Sequence, residues 1–114
     1  MQFMALIYET EGAQDVDWDT LIEQYGVFGE NAAKAGVMVS GDALQPVSTA
    51  TSVQMRDGKK IVKDGPFAET KEQLGGYYLL DCKDLDEAVE WASQIPTART
   101  GTIEVRPVIV FDQD

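Results

Sequence analysis

Asp64-Gly65-Pro66 divides the chain into two halves that no single element can bridge. Pro66 fixes φ at about −65° and offers no backbone N–H, so a central strand cannot run through it. Asp64 and Gly65 supply turn chemistry just before it. Phe67 follows, too apolar for a purely solvated loop, and then the charges of Glu69, Lys71 and Glu72. Gly75-Gly76 allows positive φ or a close backbone approach before the apolar run Tyr77-Tyr78-Leu79-Leu80.

On the N-terminal side, Phe3 to Tyr8 is a continuous apolar run of strand length. Asp17 is placed as an N-cap, with Asp19 near the positive end of the helix that follows. Trp18, Leu21, Ile22, Tyr25, Phe28, Ala32 and Ala35 recur at helical spacing and predict one buried stripe. Gly26 and Gly29 interrupt it at a cost of about 1 kcal/mol each, which suggests close packing on a sheet. Gly36 suits the C′ position. Val37 to Gly41 resumes an extended pattern. Thr51, Val53 and Met55 alternate with polar neighbours, Asp57-Gly58 signals a two-residue hairpin, and Lys59 to Lys63 is the return strand. The lysines mark this hairpin as an exposed edge.

On the C-terminal side, Tyr77 to Cys82 reads as a strand. Asp84 and Glu87 form a capping box, with Glu87 reaching back to the cap. Leu85, Ala88, Val89, Ala92 and Ile95 make the second apolar stripe, which Pro96 ends. Thr97 to Gly101 is a loop, and Thr102 to Val110 a last strand with Ile103, Val105 and Ile109 on one face. The order is β-α-β, a hairpin insertion, then β-α-β, over one domain spanning 1–114. That is a ferredoxin-like α+β arrangement: an antiparallel sheet with both helices on one face. The apolar outer positions of the strands call for a second subunit packed sheet to sheet, a homodimer.

The run DGPFAETKEQLGGYYL, from Asp64 to Leu79, resembles the signature of the DGPF-domain proteins, a branch of the YCII-related family. The similarity continues through Asp81 to Ala88 and Ile103 to Pro107, and upstream through Gly41 to Pro46 and Thr51 to Val53. It implies a ferredoxin-like fold, usually dimeric, and an association with extracytoplasmic-function sigma factors. Such an association would make the chain a non-catalytic regulatory module. In the wider family it suggests a His–Asp pair in a pocket beside the sheet. Asp64 matches the aspartate loosely, and this chain has no histidine at all.

That absence removes the commonest general base and metal ligand, excluding a Ser-His-Asp triad and a typical zinc site. No ligand spacing among the carboxylates marks another metal site, and no cofactor is expected. Cys82 is the only cysteine, so no internal disulfide forms. The net charge of −11 disfavours nucleic acid and anionic membrane as partners. No export signal or transmembrane run is visible, so a cytoplasmic location is expected.

Proton transfer would then fall to Asp, Glu, Lys or Tyr. Asp64, where a strand meets the loop, is the candidate acid or base; equally, its carboxylate can cap an Asx-turn. Glu69 and Lys71 would share one face of an extended segment and form a ligand clamp or a solvated pair. Arg106, on a strand of alternating apolar residues, needs a carboxylate from the loop or from a ligand. Phe67 and the Tyr8 hydroxyl would complete a pocket for a small polar or anionic metabolite.

Overall fold

The computed structural model describes residues 1–111. Six strands and two α-helices follow in the order β1 (Gln2–Glu9), α1 (Trp18–Lys34), β2 (Met38–Ala43), β3 (Thr51–Arg56), β4 (Lys59–Asp64), β5 (Gln73–Asp81), α2 (Leu85–Ala92) and β6 (Thr102–Pro107). Short 3-10 turns occupy Val47–Thr49 and Pro96–Arg99. The main sheet has the order β2-β5-β1-β6, and every pairing is antiparallel. This is the ferredoxin-like topology that the β-α-β order predicts.

The alternation of β1 decides what lies inside. Phe3, Ala5 and Ile7 are buried, while Met4, Leu6 and Tyr8 are half-buried on the opposite face. The first set forms one core cluster with Phe28 and Ala32 of α1, Leu80 of β5, and Ala88, Ala92 and Ile95 in and after α2. Both helices therefore lie on one face. Phe3, Leu80 and Ile95 are the largest fully enclosed side chains, each worth about 2 kcal/mol in removed apolar surface.

The caps form at the expected residues. The Asp17 carboxylate accepts from the Thr20 N–H at 2.8 Å, and that of Asp84 from the Glu87 N–H at 2.9 Å. Glu87 reaches one residue further back than a capping box requires, accepting from the Lys83 N–H at 3.2 Å. Asp57 and Gly58 take φ of 53° and 74°, the two positive values of a type I′ hairpin turn.

Several boundaries differ from the sequence pattern. The hairpin β3–β4 is a separate two-stranded sheet, not an edge of the main one. β5 begins at Gln73, so Gly75 and Gly76 lie inside a strand; neither has positive φ. β6 stops at Pro107, which leaves Ile109 outside it and exposed. α2 ends at Ala92, ahead of Pro96. Trp18, Ile22, Leu85 and Val89 fit the helical stripes but are exposed: Trp18 and Ile22 border the cavity beside β2, and Leu85 and Val89 a groove beside Ile103 and Val105 of β6. Gly26 and Gly29 face open space, so they do not serve close packing.

Candidate functional site

A well-formed cavity lies where the N-terminal half of α1 crosses the end of β1 and the edge strand β2. It holds about 320 Å³, within the range of small-ligand pockets. Its walls are mostly apolar: Ile7, Trp18, Leu21, Ile22 and Leu44, with Tyr25 and Tyr78 across from one another. The two tyrosine rings stack with centroids 6.4 Å apart, and Phe28 backs Tyr78 at 5.0 Å. Trp18 stands at the mouth, 67% exposed.

Besides Gln14, Asp42, Tyr77 and Tyr78, three polar groups belong to this lining. The Tyr25 and Thr97 hydroxyls are hydrogen-bonded to each other, which satisfies the otherwise buried Thr97. Glu9 is the third. Phe3, Ala5, Ile7 and Glu9 share one parity of β1, so the glutamate continues the buried row. A bulge in β5 pairs Ile7 with Gly76 and Tyr8 with Leu74, leaving Gly75 as the extra residue. The Glu9 carboxylate lies over Gly75: a Cβ there would meet Oε1 at 2.9 Å.

No hydrogen bond to the Glu9 carboxylate is present among the described residues. Burial pushes its pKa up, with a further contribution from Glu11. Burial also raises Tyr25 and Tyr78, and the Glu9 charge adds to the shift of Tyr25. No lysine or arginine lines the cavity. Arg99 is held beside it by Asp15, through Nε–Oδ2 and Nη2–Oδ1 bonds of 3.1 Å each, and by Gln24 Oε1 at 2.8 Å. This fork ties the loop between β1 and α1 to the turn that carries Thr97.

The YCII-related domain model matches residues 1–112. The chain belongs to the YCII-related family. An uncharacterized protein of Rhizobium meliloti (strain 1021) is 45% identical over 80 residues, covering 68% of this chain and 64% of the relative. This YCII-related chain thus spans under two thirds of that relative's length.

The residues singled out in the sequence lie elsewhere in this YCII-related fold. Asp64 ends β4, exposed, with its backbone paired to Thr51. Phe67 is 85% exposed, and Glu69 and Lys71 are exposed in the same loop. Tyr8 and Arg106 share the sheet face opposite the helices, Tyr8 across from Thr102 and Arg106 across from Met4. None of the six lines the cavity. Neither Arg106 nor Lys71 makes an ion pair among the described residues; both reach solvent, so neither needs a carboxylate from the protein. Thr10 Oγ1 donates to the Lys71 carbonyl at 3.0 Å, and Gln73 Nε2 to the Thr70 carbonyl at 2.9 Å, so the loop is braced through its backbone.

Glu9, Tyr25 and Thr97 carry no motif that marks them as a site in the sequence. The parity of Phe3, Ala5 and Ile7, carried one step further, places Glu9 on the inner face; nothing local marks Thr97.

Among the described residues there is no grouping of carboxylates and cysteine that would hold a metal ion. No helix is long and apolar enough to cross a membrane.

Proposed function

We propose that this YCII-related protein binds a small, largely apolar organic molecule in the cavity between α1 and the β1–β5 strands. The molecule carries a neutral or cationic polar group that meets Glu9. The single observation behind this reading is the Glu9 carboxylate: half-buried, raised in pKa by burial and without a protein donor. A carboxylate held in apolar surroundings without a partner costs stability, and such groups concentrate where a ligand or a proton is handled. With its pKa raised by burial, Glu9 is the group suited to exchange a proton with the bound molecule, without a cofactor. Tyr25 and Thr97 supply a hydroxyl pair beside it.

An anionic metabolite fits this cavity poorly, because its lining carries the carboxylates Glu9 and Asp42 and no cation. The competing locations are the exposed loop that carries Phe67, Glu69 and Lys71 after Asp64, and the outer sheet face that carries Tyr8 and Arg106.

A fluorescence screen of amines, neutral cyclic compounds and carboxylates separates these from the cavity. Trp18 at the mouth reports binding, and Trp18→Phe identifies its signal. The expected hits are amines or neutral compounds, weakened at least about tenfold by Glu9→Gln and unchanged by Asp64→Asn or Arg106→Ala. Carboxylate hits lost in Arg106→Ala and kept in Glu9→Gln would move the site to the outer sheet face.

A further inference from the structure

The cavity does not end at Trp18. A second chamber of about 300 Å³ opens beside it, and Glu9, Trp18 and Gly75 belong to the walls of both. Three segments enclose the second chamber: the loop after β1 with Glu11, the turn after β2 with Gln45, and the start of β5 with Gln73.

The two chambers differ in chemistry. The first is walled by Leu21, Trp18 and the stacked rings of Tyr25 and Tyr78. The fixed groups of the second are acceptors. Glu11 Oε2 accepts from the Val47 N–H at 3.1 Å, which ties the loop after β1 to the turn after β2 and holds the carboxylate in the wall. The other oxygen of Glu11 takes no hydrogen bond among the described residues. Gln73 Nε2 donates to the Thr70 and Ala68 carbonyls at 2.9 and 3.3 Å, which leaves its Oε1 as an acceptor. The amides of Gln14 and Gln45 can present either end.

Glu9 stands where the chambers meet, and its charge and that of Glu11 repel each other. Among the described residues no lysine or arginine lines the second chamber. An ammonium group brings three N–H donors and a positive charge, so it meets the acceptors and offsets the repulsion. A carboxylate or a phosphate does neither. Trp18, common to both chambers, offers a ring face to a cation between them.

We infer that the molecule bound here is an aryl-alkyl diamine. Its ring lies in the first chamber, one amino group meets Glu9, and the second amino group lies in the next chamber at Glu11. This rests on the reading of the first cavity as a binding site and adds to it a second subsite and a substrate class.

Isothermal titration calorimetry of the full chain with two probes, phenethylamine and N-phenethyl trimethylenediamine, tests the second chamber. Wild type should bind the diamine at least about tenfold more tightly than the monoamine. Glu11→Gln keeps an oxygen for the Val47 N–H, so the loop holds and circular dichroism verifies the fold. It should remove most of the diamine's advantage and leave phenethylamine binding unchanged, while Glu9→Gln weakens both probes. Glu11 is exposed, so the advantage should also shrink in high salt. Glu90→Gln alters an exposed carboxylate on α2 and should leave the advantage intact, which separates a subsite from the general attraction of a dication to an acidic protein. Equal affinity for the two amines, an advantage that survives Glu11→Gln, or an equal loss in Glu90→Gln overturns the inference and leaves the first cavity as a binding site. Binding of neither amine overturns it as well; the first cavity then stands only if neutral compounds bind and Glu9→Gln weakens them.

Discussion

Gly41 stands across from Tyr78 in the β2–β5 ladder, and the tyrosine ring fills the space a side chain at 41 would need. A Cβ there would also come within 2.9 Å of the Tyr77 carbonyl oxygen. Tyr78 is wedged between this strand, Phe28 and Tyr25, so it has nowhere to retreat. Gly41→Ala should therefore cost about 1–3 kcal/mol, the usual range for overpacking. Gly26→Ala, in the exposed middle of α1 with nothing near its Cβ, should gain up to about 1 kcal/mol. Urea denaturation of the two variants checks both signs.

Glu9 gives the chain a pH dependence of definite direction. Its folded pKa lies above its unfolded value, so its contribution to stability is complete below the ordinary carboxylate range. That contribution is lost as the pH rises through the raised value. Glu9→Gln removes the cost of the buried charge. Its melting temperature should exceed that of wild type at neutral pH, and the gap should close toward about pH 3, below the ordinary carboxylate range, where the carboxyl is protonated in both states. A melting series across that range decides the matter.

The two caps should behave alike. Asp17→Ala and Asp84→Ala each remove the acceptor for an orphan N–H at a helix start. Each should cost about 1 kcal/mol, and the two effects should add, since they serve different helices. The hydrogen bond to Thr20 holds the Asp17 carboxyl below its usual pKa. Its contribution is present above the unfolded pKa and fades as acid protonates it, so the Asp17→Ala deficit should shrink in acid.

Cys82 should be inert in the native state. It is buried, and burial pushes its thiol pKa up, with the Glu87 carboxylate adding to the shift. A thiol reagent at neutral pH should label it only after denaturant is added. Rapid native labelling would place it at a surface.

Asp64→Asn should leave the melting temperature where it is. The carboxylate is exposed and takes no hydrogen bond among the described residues, so the change should fall within about 0.5 kcal/mol. Differential scanning calorimetry at matched protein concentration measures this, and a larger loss would make Asp64 a structural residue.

Periodicity carried most of the fold. The 2-residue alternation of β1, the 3.6-residue stripe of α1 and the Asp-Gly turn each reappear in space. Burial was harder to read than period: Trp18, Ile22, Leu85 and Val89 obey the helical pattern, yet they border open grooves between helix and sheet. The site was least legible. Conspicuous residues such as Pro66, Phe67 and Lys71 mark a loop braced by backbone carbonyls, while the cavity draws on residues that look ordinary in the sequence. Tyr25 looks like core, Thr97 like loop, and Glu9 like the end of a strand. Their convergence depends on the bulge opposite Ile7 and Tyr8, which periodicity alone does not reveal.

That bulge gives one backbone atom control over the chemistry of the cavity. The Glu9 carboxylate rests where any side chain at position 75 would have to be. Replacing Gly75 by alanine would shift the carboxylate within the chamber, with the glutamate itself unaltered. The ligand preference of such a pocket can thus be rewritten from a neighbouring strand, one methyl group at a time. Relatives that keep the glutamate but fill position 75 would be expected to have diverged in what they accept.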